Sequence, residues 1–347
     1  LMILADAKRS HKINFSRLLR SAGEATGGGI RCIMPDSGPD LTIESVERLA
    51  EIPAADWDAC AGGGNPFLSF AFLDALEESG CVGPRTGWAA RHLIARDASG
   101  AVVGAVPLYV KSHSQGEYVF DHSWAQAYTN AGGRYYPKLQ ACVPFTPVPG
   151  ARLLARPGSA RDAVREGLAR ALAGLPRRTG ASSLHVTFCD DTDAELLADS
   201  GFALRRGVQF HWANRGYPPF DAFLATLSHS RRKAIRRERR DVAETGIEFV
   251  SLAGGDIGRE HWDAFYGFYV STSDRKWGNP YLNRRFFDLL HERLAARTLL
   301  VMGRKDGEWV CGALNLIGDD ALYGRNWGAS VDVPFLHFEA CYYRALD

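Results

Sequence analysis

Seven cysteines are scattered through the 347 residues, and no two of them form a CxxC or any other zinc-like spacing. That excludes a cysteine-ligated metal ribbon, and the odd, dispersed set reads as free thiols of a reducing, cytoplasmic compartment. Long apolar runs are missing too. A membrane-spanning helix needs about 18 or more apolar residues in a row, whereas "VVGAVPLYV", Val102 to Val110, is short and interrupted by Pro107. Net charge is almost absent: 41 basic residues against 40 acidic ones leave +1, so any nucleic-acid footprint must be local. Familiar catalytic words are absent as well. "HERLA" at His291 lacks the second histidine of HExxH, and "CDDTD" from Cys189 lacks the glycine and terminal glutamate of a calcium loop. No GxSxG, P-loop or GxGxxG word occurs. Metal dependence is therefore not expected.

What is present is an ordinary globular composition, 46% hydrophobic and 23% charged, in a chain long enough for two domains of roughly 150 residues each. Residues 1–40 are basic and glycine-broken and read as a disordered N-terminal extension. From Leu41 the order is strand, a helix in "PAADWDAC", and a helix in "SFAFLDALEESG" with Ser69 and Gly80 as its stop signals. "GWAARHLIARDASGAVVGAVPLYVKSHS" then predicts a hairpin turning at "DASG", and "GEYVFDHSWAQAY" alternates as a further strand. Tyr135–Leu154 is too rich in proline for a central strand and is expected as a loop. A helix (160–175), the strand "SSLHVTF", the helix "DAELLADSG" and the strand "ALRRGVQFHW" close a first domain at 41–214.

A second domain, 215–347, repeats the order: one long helix "FDAFLATLSHSRRKAIRRERRDVAETG", the strand "IEFVSL", two further helices, a strand hairpin, and a helix "FLHFEACYYRALD". That last helix meets Asp347 without a stop signal, so the second domain reads as cut short. The fold class is mixed α/β.

Charge is concentrated in one place. "HSRRKAIRRERRD", His229 to Asp241, carries seven Lys and Arg in thirteen residues. On a helix, Phe223, Leu227, Ala234, Ile235 and Val242 keep to one stripe, and Arg237 with Asp241 and Arg240 with Glu244 sit four apart. Two readings follow: the solvated side of a helix, or a grip for phosphates. No RRM, KH or zinc-finger signature accompanies it.

The blocks "GEYVFDHSWAQAY", "YYPKL", "VPFTPVPGARLL", "QFHWANRGY", "RRKAIRRER", "LYGRNWG" and "LHFEACYY" resemble, in order, those of the FemAB-like branch of GNAT-type N-acyltransferases, bacterial proteins of peptidoglycan biosynthesis or recognition. The resemblance implies tandem GNAT-like domains that transfer an acyl or aminoacyl group to an amine. The acceptor it implies is a small molecule or peptide, such as a peptidoglycan precursor, and the donor is acyl-CoA or aminoacyl-tRNA, which makes tRNA a partner in the second case. No Gln/Arg-x-x-Gly-x-Gly/Ala pyrophosphate loop precedes the helix at Phe335, which speaks against acyl-CoA. The alternative is a non-catalytic peptidoglycan- or RNA-recognition protein on a degenerate acyltransferase fold.

Acyl transfer to an amine needs a base, and donors for the developing oxyanion. Glu117, Asp121, His122 and Ser123 meet in "GEYVFDHSW", with His122 or Glu117 as base and Asp121 as its orienter. His185 shares a strand face with Ser183 and Thr187 and is read as a satisfied strand histidine. Substrate contacts are expected from Tyr136 and Lys138, from Tyr323, Arg325 and Trp327 on one strand face, and from Glu339 and Tyr343 on one helix face. Arg231, Arg232, Lys233 and Arg236 would face the donor's phosphates.

Overall fold

The computed structural model describes residues 2–5, 30–32, 40–217, 220–276 and 278–347, and these divide into two compact units, Leu1–Gly207 and Val208–Asp347.

In the first unit, strands β1 (Met2–Ala5) and β2 (Ile30–Cys32) fall within the expected extension, whose other residues up to 39 lie outside those described. β3 (Leu41–Val46) and helices α1 (Ala54–Ala61) and α2 (Phe70–Glu78) follow their sequence signals. Pro53 stands at the cap of α1, and Ser69 Oγ accepts the Phe72 N–H at 3.3 Å to start α2. The hairpin forms about Asp97–Ala101, but each arm is broken once, at Arg91 and at Pro107. The result is four strands: β4 (Trp88–Ala90), β5 (His92–Arg96), β6 (Val102–Val106) and β7 (Leu108–Lys111). At the break His92 is fully buried. Its Nδ1 accepts the Leu108 N–H at 3.2 Å, so Nε2 holds the proton and donates to Glu77 Oε1 at 2.7 Å.

Three elements then depart from expectation. "GEYVFDHSWAQAY" is not a strand: after a turn it becomes helix α3 (His122–Asn130). Its alternating aromatics mark no buried face, since Phe120 is 70% and Trp124 42% exposed. The segment 135–154 is not wholly a loop, because β8 (Lys138–Ala141) within it is a strand with all four residues buried. Pro137 and Pro144 flank that strand without removing a ladder hydrogen bond from inside it. After β9 (Leu154–Ala155), α4 (Arg161–Thr179), β10 (Ser183–Val186) and α5 (Asp191–Asp199), the last expected strand shrinks to β11 (Ala203–Leu204). Its partner β1 offers it only Met2 and Ile3.

The two halves of the broken hairpin join different sheets. β4 and β7 belong to a six-stranded sheet, β11-β1-β10-β8-β7-β4, and β5 and β6 to a five-stranded one, β2-β3-β5-β6-β9. β8 is parallel to β10 and antiparallel to β7. Helix α4 shares one apolar core with both sheets: Val164, Leu168 and Leu172 cluster with Leu41, Ile43 and Leu93 and with Leu139, Leu184 and Val186. A Cβ on Gly104 would stand 2.6 Å from Val164 Cγ1, so only glycine lets α4 settle onto β6.

The second unit follows its sequence more closely. One correction is at its start, where the single expected helix is two, α6 (Phe220–Ala225) and α7 (His229–Ala243). Thr226 Oγ1 donates to the Phe223 carbonyl at 2.8 Å, the local side-chain bonding that competes with helix continuation, and Ser228 is extended. β12 (Glu248–Ala253), α8 (Arg259–Lys276) and α9 (Arg284–Leu294) come next, α9 capped by Asn283 Oδ1 on the Phe286 N–H at 3.0 Å. β13 (Thr298–Lys305), β14 (Glu308–Ile317) and β15 (Leu322–Ala329) complete an antiparallel sheet β12-β13-β14-β15. The chain ends in a helical stretch, Leu336–Leu346, whose middle, Glu339–Tyr343, is a π-turn.

β15 carries the second correction. Gly324 pairs with Asn315 but Asn326 with Leu314, which leaves Arg325 as the extra residue of a bulge. The bulge inverts the alternation, so Tyr323 and Trp327 lie on opposite faces instead of sharing one. Trp327 packs against His337, with ring centroids 4.7 Å apart, and joins the cluster of Val301, Ala313 and Ala340. The other face meets α8, where a Cβ on Gly328 would run into the Phe268 carbonyl.

Candidate active site

Four of the residues singled out in the sequence converge inside the first unit, around Lys138 at the start of β8. Its Nζ donates to Asp121 Oδ2 at 2.5 Å, to Glu117 Oε2 at 2.7 Å and to Ser114 Oγ at 2.8 Å. Tyr136 closes the group through its hydroxyl, 2.7 Å from Ser114 Oγ. The turn before α3 makes this possible. Gly116 (φ 77°) and Tyr118 (φ 57°) both take left-handed backbone, which turns Glu117 inward and leaves Tyr118 exposed. No side chain fits at position 116, because its Cβ would stand 2.7 Å from the Phe145 ring.

Other groups complete the cluster, among them Tyr135 and Lys111, which the sequence did not single out. Tyr135 donates its hydroxyl to Asp121 Oδ2 at 2.7 Å. His185, on β10, places Nδ1 3.7 Å from the same oxygen, while its Nε2 is 3.0 Å from Ser183 Oγ, the satisfied strand histidine expected from "SSLHVTF". Lys111, at the end of β7, lies over the Trp88 ring at 3.3 Å, donates to the Gln115 carbonyl at 3.2 Å and approaches Glu117 Oε1 at 3.8 Å. A lysine within an apolar strand, as in "LYVK" and "KLQA", was the available signal.

Burial sets the electrostatics. It pulls the Lys111 ammonium down to about 7, Glu117's carboxylate lifting it only in part, and pushes Glu117's carboxyl up against the pull of Lys138. For Asp121 burial acts upward too, but the Lys138 charge and the hydrogen bonds of Lys138 and Tyr135 outweigh it and hold the carboxyl below its usual range. Burial, then the Lys138 charge, keep His185 far below an ordinary histidine and hence neutral. Burial and the bond to Asp121 keep Tyr135 protonated. One carboxylate oxygen on each acid, Asp121 Oδ1 and Glu117 Oε1, has no hydrogen-bond partner among the described residues.

His122 and Ser123 do not enter this cluster. They form the first turn of α3 and are exposed, directly after the anchored Asp121. The proposed pairing of Asp121 with His122 is absent, since the Asp121 carboxylate is occupied by Lys138 and Tyr135, with His185 nearby. Beside His122 stand exposed Phe120 and Trp124, the latter with the Arg205 guanidinium 5.1 Å from its ring.

In the second unit Glu339 and Tyr343 lie together, as their spacing requires, and against α7. Arg239 grips Glu339 with two bonds of 3.2 Å, and Tyr343 donates to Glu238 at 2.6 Å. Tyr323, Arg325 and Trp327 do not gather there as a set, for the reason given by the bulge. On α7, Arg236 pairs with Asp221 at 2.9 Å and Arg232 reaches the Ala225 carbonyl at 3.4 Å. Arg231 and Lys233 are exposed and form no ion pair among the described residues. The pairs Arg237 with Asp241 and Arg240 with Glu244 form, at 4.0 and 3.7 Å. No cluster of metal-ligating side chains occurs among the described residues, and no described helix is long and apolar enough to cross a membrane.

A model of the FemAB-like family, described as peptidoglycan biosynthesis/recognition, matches residues 48–347. The chain belongs to that family. No curated protein matches this FemAB-like chain in sequence. Among solved structures it is similar to a conserved protein of unknown function from Bacteroides thetaiotaomicron VPI-5482, at 14% identity over 88% of this chain and 86% of that one, with a TM-score of 0.48. It is also similar to L-PGS from Bacillus licheniformis, at 12% identity over 82% and 71% of the two chains, with a TM-score of 0.44. A tandem GNAT protein from the clavulanic acid biosynthesis pathway, solved without AcCoA, aligns at 13% identity over 84% and 75%, with a TM-score of 0.37.

Proposed function

We propose that this FemAB-like chain is an N-acyltransferase of two GNAT-like domains, moving an acyl or aminoacyl group onto the amine of a peptidoglycan precursor or another cell-envelope acceptor. The observation that carries the reading is the anchored head of α3. Asp121 is clamped from within by Lys138 and Tyr135, so the next residue, His122, is held at a fixed place on the surface, where an acceptor amine can reach it. Glu117 is buried and bonded to Lys138, which favours His122 over Glu117 as the base. In this reading Lys138, Asp121, Tyr135 and His185 position His122 and do not touch substrate. The exposed cations of α7, Arg231 and Lys233 first, meet the phosphates of the donor. Aminoacyl-tRNA suits them better than acyl-CoA, whose pyrophosphate loop the sequence lacks.

The test is transfer activity with acyl-CoA and with aminoacyl-tRNA as donors, with donor binding followed across a salt series. His122→Ala is expected to abolish transfer while the chain stays folded. Neutralising Arg231, Arg232, Lys233 and Arg236 is expected to weaken tRNA binding and to flatten its salt dependence by about one phosphate contact for each cation that was engaged. Full activity of His122→Ala would remove His122 from the mechanism, and binding of neither donor would remove the transferase.

A second reading, recognition of a peptidoglycan fragment without turnover, is favoured by the exposed rings of Phe120 and Trp124 beside the same helix head, a platform on which a sugar ring can stack. It predicts saccharide binding that Trp124→Ala removes, with no donor bound.

A further inference from the structure

The large apolar side chains exposed on the first unit, among the described residues, are not scattered. They are Tyr118, Phe120 and Trp124 around the head of α3, and Leu204 on β11. Arg205, the residue after Leu204, donates to the Phe120 carbonyl at 3.3 Å and holds its guanidinium 5.1 Å from the Trp124 ring, which brings the two segments together. A cluster of this kind marks a contact surface, where single exposed apolar residues would not.

Helix α3 is set apart by what it leaves unburied. Trp124 and Ala127, with Ala131 just past the helix end, stand at i, i+3 and i+7, the spacing of a stripe that ordinarily faces a core. Yet all three are exposed, and no residue of the helix is buried. Charge is patterned as well. From 118 to 134 the only acidic residue is Asp121, buried and bonded to Lys138, and 203–207 has none. The cations at the margins, Arg134, Arg205 and Arg206, are exposed. The occupant that fits is therefore apolar and bears negative charge. Nucleic acid would meet only the rings, because Ala127 and Ala131 continue the stripe with methyl groups on which no base stacks. Acyl chains cover both. A sugar needs polar partners beside the rings, and the amides of Gln126 and Asn130 are partly taken up with each other at 2.8 Å.

We infer that α3 and the turn before it dock on an anionic lipid surface. The helix lies in the plane of the interface, with Phe120 and Trp124 where headgroups meet acyl chains and the arginines toward the headgroup phosphates. Such contact involves one leaflet and needs no membrane-crossing helix, of which the described residues hold none. The inference does not rest on the transferase reading, since a chain that transfers nothing can bind lipid equally well.

The test is co-sedimentation of the full chain, with no donor or acceptor present, with vesicles of phosphatidylcholine alone and of phosphatidylcholine mixed with an equal part of phosphatidylglycerol. Binding to the anionic vesicles is expected to be at least about fivefold tighter than to the neutral ones, the effect of one cation at the surface. Phe120→Ser and Trp124→Ser are each expected to weaken it about tenfold, the effect of withdrawing one ring from the interface. Phe120 is 70% exposed, so its variant keeps the fold should Trp124→Ser disturb the contact with Arg205. No binding, equal binding to both kinds of vesicle, or binding unchanged in Phe120→Ser would each overturn the inference. The last result, accompanied by loss of tRNA binding in the same variant, would give the surface to nucleic acid instead.

Discussion

Each unit buries an acidic group, and each holds it in a different way. In the first, the Lys138 side chain is 0% exposed and two carboxylates and a hydroxyl share it, while in the second the Arg239 side chain that grips Glu339 is 23% exposed, with Arg344 Nε a further 2.8 Å contact and Asp347 joining from the chain's last residue. The first arrangement is sealed from solvent, with Lys111 3.8 Å from Glu117 Oε1 as a more distant second cation. The second is partly open to solvent ions. A buried, fully committed cation is an anchor, whereas a half-open one can exchange partners, and this is why positioning is assigned to the first network and none to the second.

Breaking the anchor should therefore cost most. Lys138→Met leaves Glu117 and Asp121 buried without their shared cation and is expected to destabilise by about 3–5 kcal/mol, read from chemical unfolding. Adding Glu117→Gln and Asp121→Asn to that variant should recover much of the loss, because the penalty is uncompensated charge and not lost volume. The equivalent change in the second unit, Arg239→Met, should cost less, about 1–3 kcal/mol, since Arg344 still meets Glu339. Its cost should shrink with added salt where that of Lys138→Met does not. Equal costs, or equal salt responses, would erase the distinction.

The smallest effect sharpens the comparison through pH. Lys111 titrates near 7 in the folded chain against 10.5 for an ordinary lysine, so between these values the unfolded chain binds more protons. Stability should then rise with pH from about 7 to 8.5, by no more than about 1.4 kcal/mol per unit, and Lys111→Met should flatten the rise. Above that window the buried thiols reverse the sign: burial pushes Cys60 to about 11 and Cys142 to about 12, so the unfolded thiols ionise first and stability falls. A flat profile in the unaltered chain would show that Lys111 keeps its charge across the range.

How much of this was legible in the sequence differs between the units for a physical reason. In the second unit α8 and α9 lie where the sequence puts two helices, while the first expected helix is interrupted between Ala225 and His229. The first unit hides a central strand between two prolines, and its buried Lys138 gives β8 the polar look of a loop. The helix α3 was missed because its aromatics alternate yet face solvent. For the site, Glu117, Asp121, Tyr136 and Lys138 do come together, but in a network around a fully buried lysine and not in the expected roles of base, orienter of His122 and substrate contacts. Their partners Tyr135, Ser114 and Lys111 lie close by along the chain, but only the fold shows that these side chains turn inward. The bulge at Arg325 is invisible to a strict two-residue period, which is why Tyr323 and Trp327 were given one face.

The hairpin broken at Arg91 and Pro107 bears on how the first unit comes apart. Its outer strands, β4 and β7, belong to one sheet and its inner strands, β5 and β6, to the other, with His92 bonded across the break. Neither sheet can open without pulling a continuous piece of chain out of its neighbour. The two sheets therefore form one cooperative unfolding unit, and the clamp on Lys138, sitting on β8 beside β7, draws on the rigidity of both.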